Sequence, residues 1–139
     1  MILIKDTFKD IAFSDIHEFD GYYIFMRKDG IMQLQFKEGF NGDADDARNM
    51  IKTFRKIMPE GRARILVIYQ EDNTFSKEAR EYIASDEVST VVMADALIIK
   101  GLALTIIGNG YLRINKPKRP TRLFTSPDAG VKWLQQFIE

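Results

Sequence analysis

Tyr22-Tyr23-Ile24-Phe25-Met26-Arg27-Lys28-Asp29-Gly30-Ile31-Met32-Gln33-Leu34-Gln35-Phe36 is the stretch from which the rest of the chain takes its bearings. Its first five residues are aromatic or apolar and favour strand. Its last six alternate apolar with mostly polar positions, the period of a strand with two distinct faces. Between them, Asp29-Gly30 supplies the positive φ that a tight hairpin turn requires. The spacing predicts an antiparallel β-hairpin here. Upstream, residues 1–20 form a lead segment with no firm pattern beyond a short strand around Ile11–Phe13.

Downstream, the pattern changes to alternation of helix and strand. After a loop over Gly39–Gly42, Asp43 is placed to cap a helix, with Asp45 and Asp46 in its first turn. Ala47, Met50, Ile51, Phe54, Ile57 and Met58 recur at helical spacing, and Pro59 and Gly61 stop them. Arg64-Ile65-Leu66-Val67-Ile68-Tyr69 reads as a central strand buried on both faces. A second helix starts near Ser76 and turns Ala79, Tyr82 and Ile83 inward, and Ser89–Met93 reads as the next strand. The apolar segment that follows, Ala94–Ile107, is read from Asp95 onward as a third helix, with Gly108-Asn109-Gly110 beyond it. Thr121–Phe124 gives a last strand. Ser126-Pro127 then opens a closing helix that carries Ala129, Trp133, Leu134, Phe137 and Ile138, with Trp133 expected to be largely buried. The expected order is ββαβαβαβα, one α/β domain over residues 1–139 with a mixed sheet of about five strands.

Composition sets the outer limits. At 139 residues, 45% hydrophobic and 12% aromatic, there is material for one core and no sign of general disorder. Twenty basic and twenty acidic residues cancel, so no global field favours nucleic acid or anionic membrane. Cysteine is absent, which removes disulfides, thiolate nucleophiles and sulfur-bound zinc. The opening Met1–Asp6 has only a short apolar run before charge, and Val91–Ile107 is broken by Asp95 and Lys100. Neither an export signal nor stable membrane insertion is expected, and the expected address is cytoplasmic.

The C-terminal run Pro120-Thr121-Arg122-Leu123-Phe124-Thr125-Ser126-Pro127-Asp128-Ala129-Gly130-Val131-Lys132-Trp133-Leu134, together with this element order, resembles the SpoIIAA-like (STAS-like) α/β family. Members pair a strand ending in arginine, any residue, phenylalanine with a helix carrying alanine, three residues, tryptophan-leucine. Arg122, Phe124, Ala129, Trp133 and Leu134 match. Lys77–Tyr82 and Ile107–Leu112 resemble an uncharacterised bacterial branch of the same superfamily. The resemblance covers roughly residues 20–139 and implies a SpoIIAA/STAS-like fold. It also implies kinship with anti-sigma-factor antagonists, which work through a phosphorylated serine, and with small lipid carriers of CRAL-TRIO type. Ser76 lies near the phosphoserine position, but Tyr69–Glu78 lacks the paired serine and the glycine of that motif. Ser76 is therefore read as a helix cap.

The remaining candidates divide in the same way between chemistry and structure. His17 is the only histidine, so it cannot pair with another to hold a metal or relay a proton. Asp43, Asp45 and Asp46 open a helix and lack the alternating ligands of a Ca²⁺ loop. No glycine-rich phosphate loop occurs. Two features exceed what structure alone asks for. Arg113, Lys116, Lys118, Arg119 and Arg122 put five cations into ten residues, a candidate anion or partner patch. The third helix is apolar nearly all round, and Ile98, Leu102 and Ile106 on it form a candidate dimer or ligand face. The expectation is a non-catalytic regulatory or adaptor domain, homodimeric and acting through a protein partner, with no cofactor and no nucleic acid. The alternative is a carrier for a lipid-like ligand in a groove by the third helix.

Overall fold

The computed structural model describes residues 15–138. The expected strand around Ile11–Phe13 lies outside that range. A short strand β1 (His17–Glu18) pairs antiparallel with β2 (Tyr22–Met26), which pairs antiparallel with β3 (Met32–Phe36). Met26 faces Met32 across the hairpin, and Gly30 takes φ +83° in the intervening loop. The Asp29 carboxylate accepts from the Ile31 amide and from Arg27, which tightens that loop.

From β3 onward the pairing is parallel: β3 with β5 (Ala63–Ile68), β5 with β7 (Val92–Ile98), and β7 with β8 (Thr121–Phe124). The six strands lie in the order β1-β2-β3-β5-β7-β8. A second, two-stranded parallel pair joins β4 (Asn41–Gly42) to β6 (Thr74–Phe75). Every crossover steps the same way along the sheet. Right-handed crossovers that all step one way must put their helices on one face. That face carries α1 (Ala44–Ile57), α2 (Lys77–Ile83), α3 (Asp86–Ser89) and α4 (Leu102–Ile114). Only α5 (Pro127–Leu134), which follows the last strand, packs on the other.

Local chemistry accounts for the helix starts. Asp43 accepts from the Asp46 amide while the Asp46 carboxylate accepts from the Asp43 amide, a reciprocal cap at the head of α1. Met50 and Phe54 of α1 bury against Leu34, Ile65 and Val67 of the sheet. Each such side chain is worth about 1.5–3 kcal/mol. On the opposite face, Leu134 meets Leu66, Ile98 and the small Ala94 and Ala96. Gly130 allows this approach, since a Cβ there would sit 2.7 Å from Ile98 Cδ1.

Three expectations need correction. The sheet has six strands, because two-residue β1 adds to the hairpin. The segment from Asp95 is strand as far as Ile98, and the helix begins only at Leu102. An apolar run of this kind does not separate helix from strand by periodicity. Here it is flanked by β5 and β8 and buried on both faces, the setting of an inner parallel strand. Lys100-Gly101 is the true break, with Gly101 at φ +91°. Ile98 consequently leaves the proposed helical face and points to α5. Trp133 is half-buried rather than enclosed, lying against Phe124 and Phe137 at ring-centroid distances of 5.6 and 4.9 Å. Among the described residues, no helix is long and apolar enough to cross a membrane.

Candidate functional site

On the multi-helix face, a cavity of about 250 Å³ lies between the sheet and the helices. Leu34, Ile65, Val67 and Leu97 form its floor, Met50 and Phe54 of α1 one wall, and Leu104, Ile107 and Tyr111 of α4 its roof. The sequence explains why space remains there. Leu104 is the one buried residue of α4, while Leu102 and Ile106 are 76% and 62% exposed. Gly108 comes close to the sheet edge, where a Cβ would meet both Leu123 methyls at 3.1 Å. The helix thus rests on β8 at its middle and spans Val67 and Leu97 without filling the gap below. Phe36, Tyr69 and Phe75 close one end, with centroid separations of 5.0 to 6.1 Å.

Two arginines line this apolar chamber: Arg80, which donates to the Phe75 carbonyl at 2.6 Å, and Arg119. Asp95, an inner-strand residue on the cavity side, pairs with Arg119 at 3.0 Å, and the two side chains are only 7% and 1% exposed. Asp95 Oδ1 accepts from the Thr121 hydroxyl, and Arg119 Nη1 donates to Ser89 Oγ at 3.3 Å. Beside the pair, Arg119 Nε and Tyr111 Oη are buried without a close hydrogen bond, and Arg119 is near enough to act as a donor toward the phenol oxygen. Burial pushes Tyr111 above the ordinary phenol range, and the nearby Asp95 carboxylate adds to this while Arg119 opposes it. Tyr69, also lining the cavity, is raised by burial and by Tyr111. Burial and a hydrogen bond to Glu87 push Tyr82 up to about 12.

These shifts carry a sign. Each phenol ionises near pH 10.0 when unperturbed and higher in the fold, so the fold favours the neutral form. Their contribution to stability is complete below pH 10.0 and is lost as pH rises above it. Denaturation followed against pH is expected to show a plateau below about pH 9 and a steep alkaline fall, with phenolate absorbance from Tyr69 and Tyr111 appearing only on unfolding. Phenolate growth in the intact fold near pH 10 contradicts this placement.

The other sequence candidates do not converge on the cavity. The cationic run separates: Arg119 turns inward to Asp95, Lys118 pairs with Asp86 at 3.1 Å in the open, and Arg122 lies over the Phe124 ring at 5.2 Å. Arg113 and Lys116 are exposed. The expected five-cation patch is therefore not one surface, because Arg119 follows Asp95 into the core. Ser76 caps α2 by accepting from the Ala79 amide at 3.1 Å. His17 sits half-buried in β1. Sequence reading missed Asp95, Tyr111 and Tyr69. The available signal was Asp95 itself, a lone carboxylate inside an apolar strand, which requires a buried partner.

No curated protein and no solved structure matches the chain. A family described as Domain of unknown function (DUF7793) matches residues 24–138, which contain the hairpin from Ile24, the cavity and α5. The chain belongs to this DUF7793 family.

Proposed function

We propose that this domain binds a small, largely apolar ligand in the cavity beneath α4, as a carrier or ligand-responsive module. The observation that carries the reading is an apolar chamber of about 250 Å³ whose lining also includes a few polar side chains, among them Asp95, Arg119, Arg80 and Asn73. Ligand sites combine these two properties. A titration with a benzene-sized apolar probe, followed by methyl NMR, is expected to move Val67, Leu97 and Leu104. Val67→Phe, which fills the chamber, is expected to abolish the shifts. Shifts confined to Leu102 and Ile106, or none at all, count against the cavity.

The exposure of Leu102 and Ile106, one helical turn apart on α4, favours a second reading as a self-associating interaction module. Sedimentation is then expected to give a homodimer at micromolar concentration, and Leu102→Asp with Ile106→Lys to give a monomer of unchanged melting temperature. A parent chain that sediments as a monomer removes this reading. The hairpin followed by strand–helix alternation, and the final strand and helix bearing Arg122, Phe124, Trp133 and Leu134, support a SpoIIAA/STAS-like relationship.

A further inference from the structure

We infer that the outer side of α4 docks on the surface of an anionic lipid bilayer, lying along the headgroups without crossing them. The cavity lies under the inner side of the same helix, so this goes beyond the ligand reading and does not rest on it. Five large apolar side chains are exposed among the described residues, and four of them, Leu102, Ile106, Ile107 and Ile114, belong to α4. At about 3.6 residues per turn they fall on one arc, opposite the Leu104, Gly108 and Tyr111 side that meets the sheet and cavity. Ala103, Asn109, Gly110 and Arg113 complete the arc, so only two of its positions are polar. Solvent is an unfavourable neighbour for such a surface.

Charge identifies what covers it. The chain as a whole is neutral, yet residues 96–127 contain six cations and no Asp or Glu. Three of the six are engaged: Arg119 with Asp95, Lys118 with Asp86, and Arg122 over Phe124 toward the α5 face. The other three bracket the apolar arc. Lys100 precedes α4, Arg113 is in its last turn and Lys116 follows it. All three are exposed, with no ion-pair partner among the described residues. Every other described helix has an acid in its first turn, and α4 has none. A second copy, the occupant in the self-association reading, fits this charge poorly. Two-fold pairing through α4 brings Lys100 either to Lys100 or to Arg113 and Lys116, and cation meets cation in both. The arc also has no aromatic ring, whereas protein hot spots favour Trp, Tyr and Arg. An anionic bilayer offers an apolar layer to the leucine and isoleucines and phosphate or carboxylate headgroups to the cations. With 13 residues, α4 is too short to span that bilayer and lies along it.

The test is co-sedimentation of the full chain with vesicles of phosphatidylcholine, alone or with about 30% phosphatidylserine. Binding to the mixed vesicles is expected to be at least about tenfold tighter than to phosphatidylcholine, and to weaken as salt rises. Each cation at an anionic surface contributes about fivefold, so Lys100→Gln, Arg113→Gln and Lys116→Gln together are expected to lose about a hundredfold. Leu102→Ser with Ile106→Ser is expected to lose at least about tenfold on the same vesicles. All five side chains are exposed, so urea midpoints like the parent's are expected and report that the fold is kept. Equal binding to the two vesicle types, or binding to neither, overturns the inference, as does a serine variant that binds like the parent. Tighter binding to poly-glutamate than to the mixed vesicles gives the face to an acidic protein and overturns it too. A dimer that the serine variant dissolves, with no vesicle binding by the parent, gives the face to a second copy. None of these readings involves the apolar-probe titration, so the docking face and the cavity stand or fall separately.

Discussion

Replacing Arg119 with methionine is expected to cost about 3–5 kcal/mol in urea denaturation, the range for breaking a buried ion pair from one side. The loss comes from what remains. Asp95 sits in the inner strand β7 with its side chain 7% exposed, and without Arg119 its one described side-chain partner is the Thr121 hydroxyl. Methionine keeps most of the volume, so packing loss contributes little. The double variant Asp95→Leu with Arg119→Met is expected to recover most of the stability, since an apolar pair of similar size needs no desolvation. A single variant that loses less than about 1 kcal/mol would mean that water reaches the carboxylate, as at a surface pair. The polar end of the cavity would then be open.

Leu134→Ala is expected to cost about 2–5 kcal/mol, the range for truncating a fully enclosed leucine. Leu134 has no exposed surface and packs on Leu66 and Ile98 through the gap that Gly130, Ala94 and Ala96 leave open. Among the described helices, α5 alone covers this face, so the structure offers little to refill the space. Trp133→Ala, one residue earlier, is expected to cost less than the about 3–5 kcal/mol of a fully buried tryptophan, because Trp133 keeps part of its surface in solvent. Equal losses at the two positions would place the helix at a different rotation. Urea midpoints at constant slope decide between them.

The fold was legible where one residue type has a single physical use. Asp29-Gly30 between two β runs specified the hairpin, Asp43 and Ser126-Pro127 specified helix starts, and Arg64–Tyr69 specified a buried strand. Legibility failed where two structures satisfy the same pattern. Val91–Ile99 is equally apolar as strand or helix, and only the flanking strands, remote in sequence, decide the matter. Two-residue strands such as β1, β4 and β6 carry no period at all. The site suffered most from this. Treating Asp95 as a helical residue hid its inward direction, and with it the reason that Arg119 leaves the surface and lies near Tyr111. The cavity itself lies beneath α4, whose apolar character was legible although it has a single buried residue.

The most direct test of the cavity as a ligand site is a crystal structure of the chain purified without denaturation or organic extraction. The account predicts continuous density for a non-protein molecule on the order of ten heavy atoms, with its apolar part over Val67 and Leu97. A structure in which α4 has closed onto Val67 and Leu97, with no space between helix and sheet, would contradict it.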